Sequence, residues 1–210
     1  MGAQSTAYPI FLNLEGKPCL VVGGGAVGER KALGLAESGA NVTVVSPEMT
    51  ERLKAEDRVN RVDRNFDAAD LDGQVLVFAA TDSEQVNGHV VEVSRARGIW
   101  VNDATSADRS DFILPATVRR GGLTIAISTQ GGSPAYAKLL KEMLESEFGD
   151  EHAEMVALLA DLRPRVRATL ASPADRRNFW DRVVTEETLS LIKCGKMDIV
   201  TERIEQWLSS

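Results

Sequence analysis

The sequence predicts an α/β fold: a parallel sheet with helices on both faces, then a small hairpin-plus-helix segment and a C-terminal helical region. Three features carry that expectation. Near-continuous apolar runs such as Gln74-Val75-Leu76-Val77-Phe78-Ala79-Ala80 suit strands covered on both faces. Helical patterns alternate with these runs as far as Asn102, which indicates a parallel sheet. After Asp111 the pattern changes, and Phe112–Val118 and Leu123–Ser128 flank Arg119-Arg120-Gly121-Gly122 as an antiparallel hairpin would.

The first strand is Cys19 to Val22, and it feeds directly into Gly23-Gly24-Gly25-Ala26-Val27-Gly28. A helical pattern follows at once, with Ala32, Leu35, Ala36 and Gly39 on one face. Gly23 permits the tight turn, Gly25 lets a pyrophosphate approach the backbone, and Gly28 lets helix and strand pack closely. The helix N-terminus offers unpaired N–H groups and a partial positive charge to phosphates. Strand, glycine turn and helix together predict a Rossmann-like, dinucleotide-binding unit.

The remaining elements follow in order. Tyr8 to Leu14 is an apolar lead-in before the turn at Glu15-Gly16-Lys17, expected to pack under the first strand. Asn41 to Ser46 reads as a second strand ended by Pro47, the Leu53 region as helical, and Val59 to Phe66 as a third strand. Thr81-Asp82 closes the fourth strand and opens a helix from about Ser83 to Arg97, and Ile99 to Asn102 is the fifth strand. Pro134 suits the first turn of a helix to about Phe148, with Leu139, Leu140, Met143 and Leu144 on one side. The expected divisions are 1–115 for the dinucleotide-binding domain, 116–150 for the hairpin and helix, and 151–210 for the C-terminal helices.

Composition bounds the function. At 210 residues with 43% hydrophobic and 26% charged side chains, the chain has length enough for a proper core. A net charge of −7 argues against general nucleic-acid binding. No apolar run approaches the roughly 20 residues that span a bilayer. Met1 to Tyr8 has neither the basic start nor the apolar core of a signal peptide, so a cytoplasmic protein is expected. Cys19 and Cys194 fit no zinc spacing, and His89 and His152 have no paired spacing for a metal. No metal site is expected.

Right-handed crossovers place every loop that follows a strand on one edge of the sheet. Candidate cofactor contacts there are the glycine turn, Ser46-Pro47-Glu48, Thr81-Asp82 and Asn102. Ser46 stands where an acid usually takes the adenosine ribose hydroxyls, with Glu48 two residues on. Asp103 either receives a proton or caps the following turn, and the sequence leaves both readings open. The C-terminal half carries Arg119, Arg120, Arg163, Arg165, Arg167, Arg176, Arg177 and Arg182 in an otherwise acidic chain. Such a cluster suits a polyanionic ligand or, equally, a solvated face with ion pairs.

Taken together these segments resemble the precorrin-2 dehydrogenase family, relatives of the front part of siroheme synthase. The matching pieces are Pro9-Ile10-Phe11-Leu12, Val21 to Lys31 around the glycines, Ala79-Ala80-Thr81-Asp82, Val101-Asn102, Asp111 to Ala116, Gly131-Gly132-Ser133-Pro134-Ala135 and Arg176 to Trp180. The resemblance implies oxidation of precorrin-2 to sirohydrochlorin with NAD, a tetrapyrrole substrate whose carboxylates meet arginines such as Arg119, Arg120, Arg163 and Arg167, and a homodimer built through the hairpin and the helix after Pro134. Some members also insert ferrous iron. The family's usual aspartate falls on Thr105 here, with Asp103 the nearest carboxylate, and its loop serine falls on Thr129, preceded by Ser128. Weak or absent iron insertion is therefore expected. The alternatives are a nucleotide-sensing module without chemistry and a dehydrogenase for another substrate.

Overall fold

The computed structural model describes residues 7–209, so the first six residues of the stretch read for a signal peptide lie outside the described residues. The chain divides into two compact units, Met1–Leu114 and Pro115–Ser210.

In the first unit, β1 (Pro18–Gly24), β2 (Asn41–Met49), β3 (Val59–Val62), β4 (Leu76–Ala79) and β5 (Trp100–Asp103) form a five-stranded sheet in the order β3-β2-β1-β4-β5. Every neighbouring pair is parallel. Successive strand residues face opposite sides of a sheet. Cys19, Val21, Val42, Val44 and Phe78 accordingly pack on one side with Ala32, Leu35 and Ala36 of α1 (Ala26–Glu37). Leu20, Val22, Val45, Val77 and Val101 pack on the other with Val90 and Val91 of α3 (Glu84–Ala96). Burial on both faces is why the strands read as continuous apolar runs. A four-residue helix, α2 (Glu51–Lys54), is capped by the Thr50 side chain, which accepts from the Leu53 N–H at 3.2 Å.

β5 is an edge strand, and Asp111 covers it. The Val101 N–H donates to Asp111 Oδ2 at 3.0 Å, and the Asp111 N–H returns a bond to the Val101 carbonyl at 2.9 Å. Arg95 holds the same carboxylate at 2.9 Å. An unpaired edge would otherwise invite another strand.

Three expectations change. The lead-in does not pack under β1: Tyr8, Ile10, Phe11 and Leu12 are exposed, and only Leu14 reaches the core. The cause is that β1 already has a helix against each face of the sheet around it. Pro47 does not end the second strand, because β2 pairs again with β1 at Gly24↔Met49 after a register shift between Val22 and Gly24. β3 stops at Val62, where Arg64 turns back to donate to the Val62 carbonyl and binds Asp70.

The second unit begins with β6 (Ala116–Arg120) and β7 (Leu123–Ile127), paired antiparallel. Here too the expected boundary moves. Arg119 and Arg120 lie in β6, opposite Thr124 and Leu123, and the turn is Gly121-Gly122 alone, with Gly121 at φ +52°. Phe112 to Pro115 precede the strand. Then come α4 (Pro134–Glu147), α5 (Asp150–Thr169), α6 (Pro173–Val183), α7 (Glu186–Lys193) and α8 (Met197–Leu208). Leu162, Val166, Phe179, Val183, Ile192, Val200 and Ile204 form the core of the last four helices. The hairpin, α4 and these helices fall within one unit.

Candidate dinucleotide-binding site

The glycines of the turn answer to different neighbours. Gly23 has φ +112°, and a Cβ there would lie 2.9 Å from the Thr81 nitrogen and closer still to the Ala80 carbonyl. A Cβ on Gly24 would strike the Glu48 carbonyl and the Met49 side chain, and one on Gly28 would strike the Gly23 carbonyl. These three are dictated by the packing of β1 against β4, β2 and α1. Gly25 is different. A Cβ there would meet nothing within 4 Å, and its φ of −71° is open to any residue. The fold has no need of a glycine at that position, whereas a phosphate approaching the backbone does.

α1 reinforces this. Its N-cap is Gly25 with no side-chain cap, whereas α3 and α4 are capped by the Ser83 and Ser133 side chains. The first N–H groups of α1 are thus left to a ligand, with the helix dipole behind them. Gly25, Ala26 and Val27 are all exposed. The residues present therefore fit a dinucleotide pyrophosphate.

At the end of β2, Ser46 is buried and its hydroxyl donates to the Glu48 carbonyl at 2.7 Å, so it shapes the bulged strand end. Pro47 and Glu48 are exposed. Asn102 is buried, and its Nδ2 donates to the Phe112 carbonyl at 2.9 Å. Asp82 is exposed beside Thr81.

The loops after β4 and β5 are joined by polar side chains. Asp103 has no exposed side-chain surface. Its Oδ1 accepts from the Thr105 N–H at 2.8 Å and the Thr105 hydroxyl at 2.6 Å, and its Oδ2 accepts from Arg109 Nε at 2.8 Å. Burial alone would raise its pKa; the Thr105 hydroxyl and N–H and the Arg109 guanidinium outweigh burial and hold the carboxyl below its ordinary range. Arg109 also binds Glu84 at 3.0 Å. Asn87, fully buried in the first turns of α3, spans from Thr81 to Thr105. Sequence reading missed Asn87 and Arg109. The one available signal was an amide at position 87 of a helix face that otherwise carries Val90 and Val91.

In the second unit, Ser128 is exposed and its hydroxyl accepts from the Gln130 N–H at 3.1 Å. Thr129 closes the loop onto the start of α4 through Ser133, whose N–H it accepts at 3.2 Å. Arg120 donates to the Glu145 carbonyl at 2.8 Å near the α4 C-terminus, a helix-capping role. Arg165 pairs with Glu205, and Arg176 donates to the Leu170 and Ala171 carbonyls. Arg119 is exposed on β6, and Arg163 and Arg167 are exposed one turn apart on α5. Among the described residues, no three His, Cys, Asp or Glu side chains gather in a group able to hold a metal ion. Nor is any described helix long and apolar enough to cross a membrane.

Comparison with known proteins places this geometry. A putative NAD(P)-binding family matches residues 10–116, a sirohaem biosynthesis protein central family matches 120–147, and a sirohaem synthase dimerisation region matches 152–208. The siroheme synthase of Thioalkalivibrio sulfidiphilus is 37% identical over 206 residues, which is 97% of this chain and 42% of that protein. Siroheme synthase 1 of Aeromonas salmonicida is 41% identical over 184 residues, 86% of this chain and 39% of its own. The chain thus spans about two fifths of the length of these curated relatives. The solved structure of SirC, a precorrin-2 dehydrogenase, superposes with a TM-score of 0.81 at 26% identity, covering 95% of this chain and 100% of that one. The match over residues 10–116 takes in half of the chain, which therefore belongs to this putative NAD(P)-binding family, with the precorrin-2 dehydrogenase SirC as an end-to-end structural counterpart.

Proposed function

We propose that this chain oxidises precorrin-2 to sirohydrochlorin with NAD. The observation that carries this reading is the open position at Gly25 beneath an uncapped α1, in a chain that SirC matches from end to end. When bound, NAD supplies the hydride acceptor. The chain's own residues do the rest. The N–H groups at the start of α1 hold the pyrophosphate, and Glu48 and Asp82 offer exposed carboxylates at the same sheet edge. Arg163, Arg167 and Arg119 serve the carboxylates of the tetrapyrrole, where the guanidinium fork is well matched. Asp103 acts as an anchor: both its oxygens are committed, and a carboxylate held below its ordinary pKa is a weak proton acceptor. Positioning of ring and nicotinamide then does most of the catalytic work.

The same reading makes the protein a homodimer through β6, β7 and α4. Tyr136, Leu139 and Met143, at helical spacing on α4, are 54%, 50% and 59% exposed, an apolar stripe that a second copy would cover. Iron insertion is weak or absent, because Thr105 stands where the family usually has a carboxylate and its hydroxyl is spent on Asp103.

Anaerobic incubation of the protein with precorrin-2 and NAD tests the activity. The sirohydrochlorin spectrum should grow with NAD present and not without it. A nucleotide-sensing module would bind NAD yet leave precorrin-2 to decay at the rate of the protein-free control.

A further inference from the structure

Asn87 sits in the first turns of α3 at a position with no solvent exposure, facing the side of the sheet where Val90 and Val91 pack. A buried amide is costly unless all its groups are bonded. Here they are. Oδ1 accepts from the Thr81 N–H at 3.0 Å and from the Thr81 hydroxyl at 2.7 Å. Nδ2 donates to the Thr81 carbonyl at 3.0 Å and to the Thr105 hydroxyl at 3.4 Å. The orientation of the amide is fixed by chemistry, because a backbone N–H can only donate and a carbonyl only accept.

Thr81 is the first residue after β4, and its backbone is the surface on which the glycine turn rests. The Gly23 Cα comes so near the Ala80 carbonyl and the Thr81 nitrogen that no Cβ fits between them. Asn87 grips that Thr81 peptide at both its N–H and its carbonyl. Through Thr105 it also reaches the loop after β5, since the Thr105 hydroxyl donates to Asp103. One side chain therefore ties together the two loops that follow β4 and β5, and one of them supports the turn that receives the dinucleotide.

We propose that Asn87 is a positioning residue for the dinucleotide: it holds the Thr81 peptide against Gly23 and keeps the β4 and β5 loops in register. This rests on the dinucleotide reading above. Asn87 does not touch the ligand. It acts through Thr81, and no aliphatic side chain can replace it, because the Thr81 N–H and carbonyl would lose their partners and move.

The test is calorimetric titration of NAD into the full chain, with melting temperature recorded for each variant. Asn87→Ala should weaken NAD binding by about tenfold or more, as expected for loss of several bonds around one peptide. With precorrin-2 as substrate, the defect should fall on KM for NAD more than on kcat. A purely structural role would lower the melting temperature and leave NAD affinity unchanged in the folded protein, and that result overturns the proposal. If Asn87→Ala does not fold, Thr81→Val decides, since it keeps the Thr81 peptide and removes the hydroxyl that donates to Asn87 and accepts from the Ser83 N–H. Its NAD affinity should fall several-fold, and wild-type affinity again overturns the proposal. Failure of the wild-type chain to bind NAD at all overturns the dinucleotide reading itself, and this inference with it.

Discussion

In the first unit, no side chain from Cys19 to Val22 is more than 2% exposed, whereas in the second unit α4 buries none of its residues and leaves Tyr136, Leu139 and Met143 about half exposed. The sheet is finished within its own unit. Two helical layers cover it, and Asp111 closes the β5 edge. The hairpin buries only Val118 well, and α4 turns apolar residues outward. A region that covers itself can be read as a scaffold for a ligand. A region that leaves an apolar stripe open finds its burial against another surface, which is why a second copy is proposed there.

The contrast can be broken most forcefully in the sheet. Phe78 is 2% exposed, meets Phe112 edge-on at 5.4 Å and lies under Lys31. Phe78→Ala should cost about 3–5 kcal/mol in denaturant unfolding. A loss below 1 kcal/mol would show that this core is not closed as described.

The next effect concerns ligand binding with little change in stability. Gly25→Val places a branched side chain in the open space above the α1 N-terminus, at a cost to the cap of roughly 1 kcal/mol. NAD binding should vanish from calorimetry while the protein stays folded. Gly24→Ala should do the opposite, destabilising the fold through collision with Glu48 and Met49. Equal behaviour of the two variants would erase the distinction between a glycine the fold requires and one the ligand requires.

On the other side of the comparison, Leu139→Glu combined with Met143→Glu should turn the proposed dimer into monomer in light scattering at micromolar concentration. Because both side chains are exposed in the single chain, the monomer should keep its helical content. A wild-type protein that is already monomeric at that concentration removes the interface from the account.

A smaller effect is expected in acid. The folded-state pKa of Asp103 is held below the ordinary 3.8, so its contribution to stability is complete above that value and disappears as pH falls through the lower folded value. Asp103→Asn should flatten that acid limb of the stability profile. An unchanged limb means that Asp103 is not the anionic anchor of the loop. Smallest of all, Gly34→Ala in the interior of α1, where a Cβ meets nothing within 4 Å, should raise stability by about 0.5–1 kcal/mol.

Much of the first unit was legible because its signals are local and redundant. Cys19 to Val22, the glycine turn and the Ala32–Ala36 face name a strand, a turn and a helix independently. Other features depended on distant partners. Pro47 reads as a strand terminator, and only the return of β2 to Gly24 keeps it inside the strand. Arg119-Arg120 beside two glycines reads as turn, yet the pair belongs to β6 because the tight Gly121-Gly122 turn needs no more residues. Tyr8 to Leu12 looks like core from composition alone, and nothing in the sequence says that β1 has no face left for it. The candidate site divides the same way. Its phosphate-facing turn was visible, while the Asn87–Thr105–Asp103–Arg109 chain links residues whose spacing carries no motif.

The most direct test of the central claim is a paired count of products under anaerobic conditions. Precorrin-2 and NAD are supplied to the wild-type chain and to Gly25→Val, and NADH and sirohydrochlorin are quantified together. The wild-type chain should give one NADH for each sirohydrochlorin, and Gly25→Val only the protein-free rate. Sirohydrochlorin formed by the wild-type chain without matching NADH, or formed equally well by Gly25→Val, would contradict that claim.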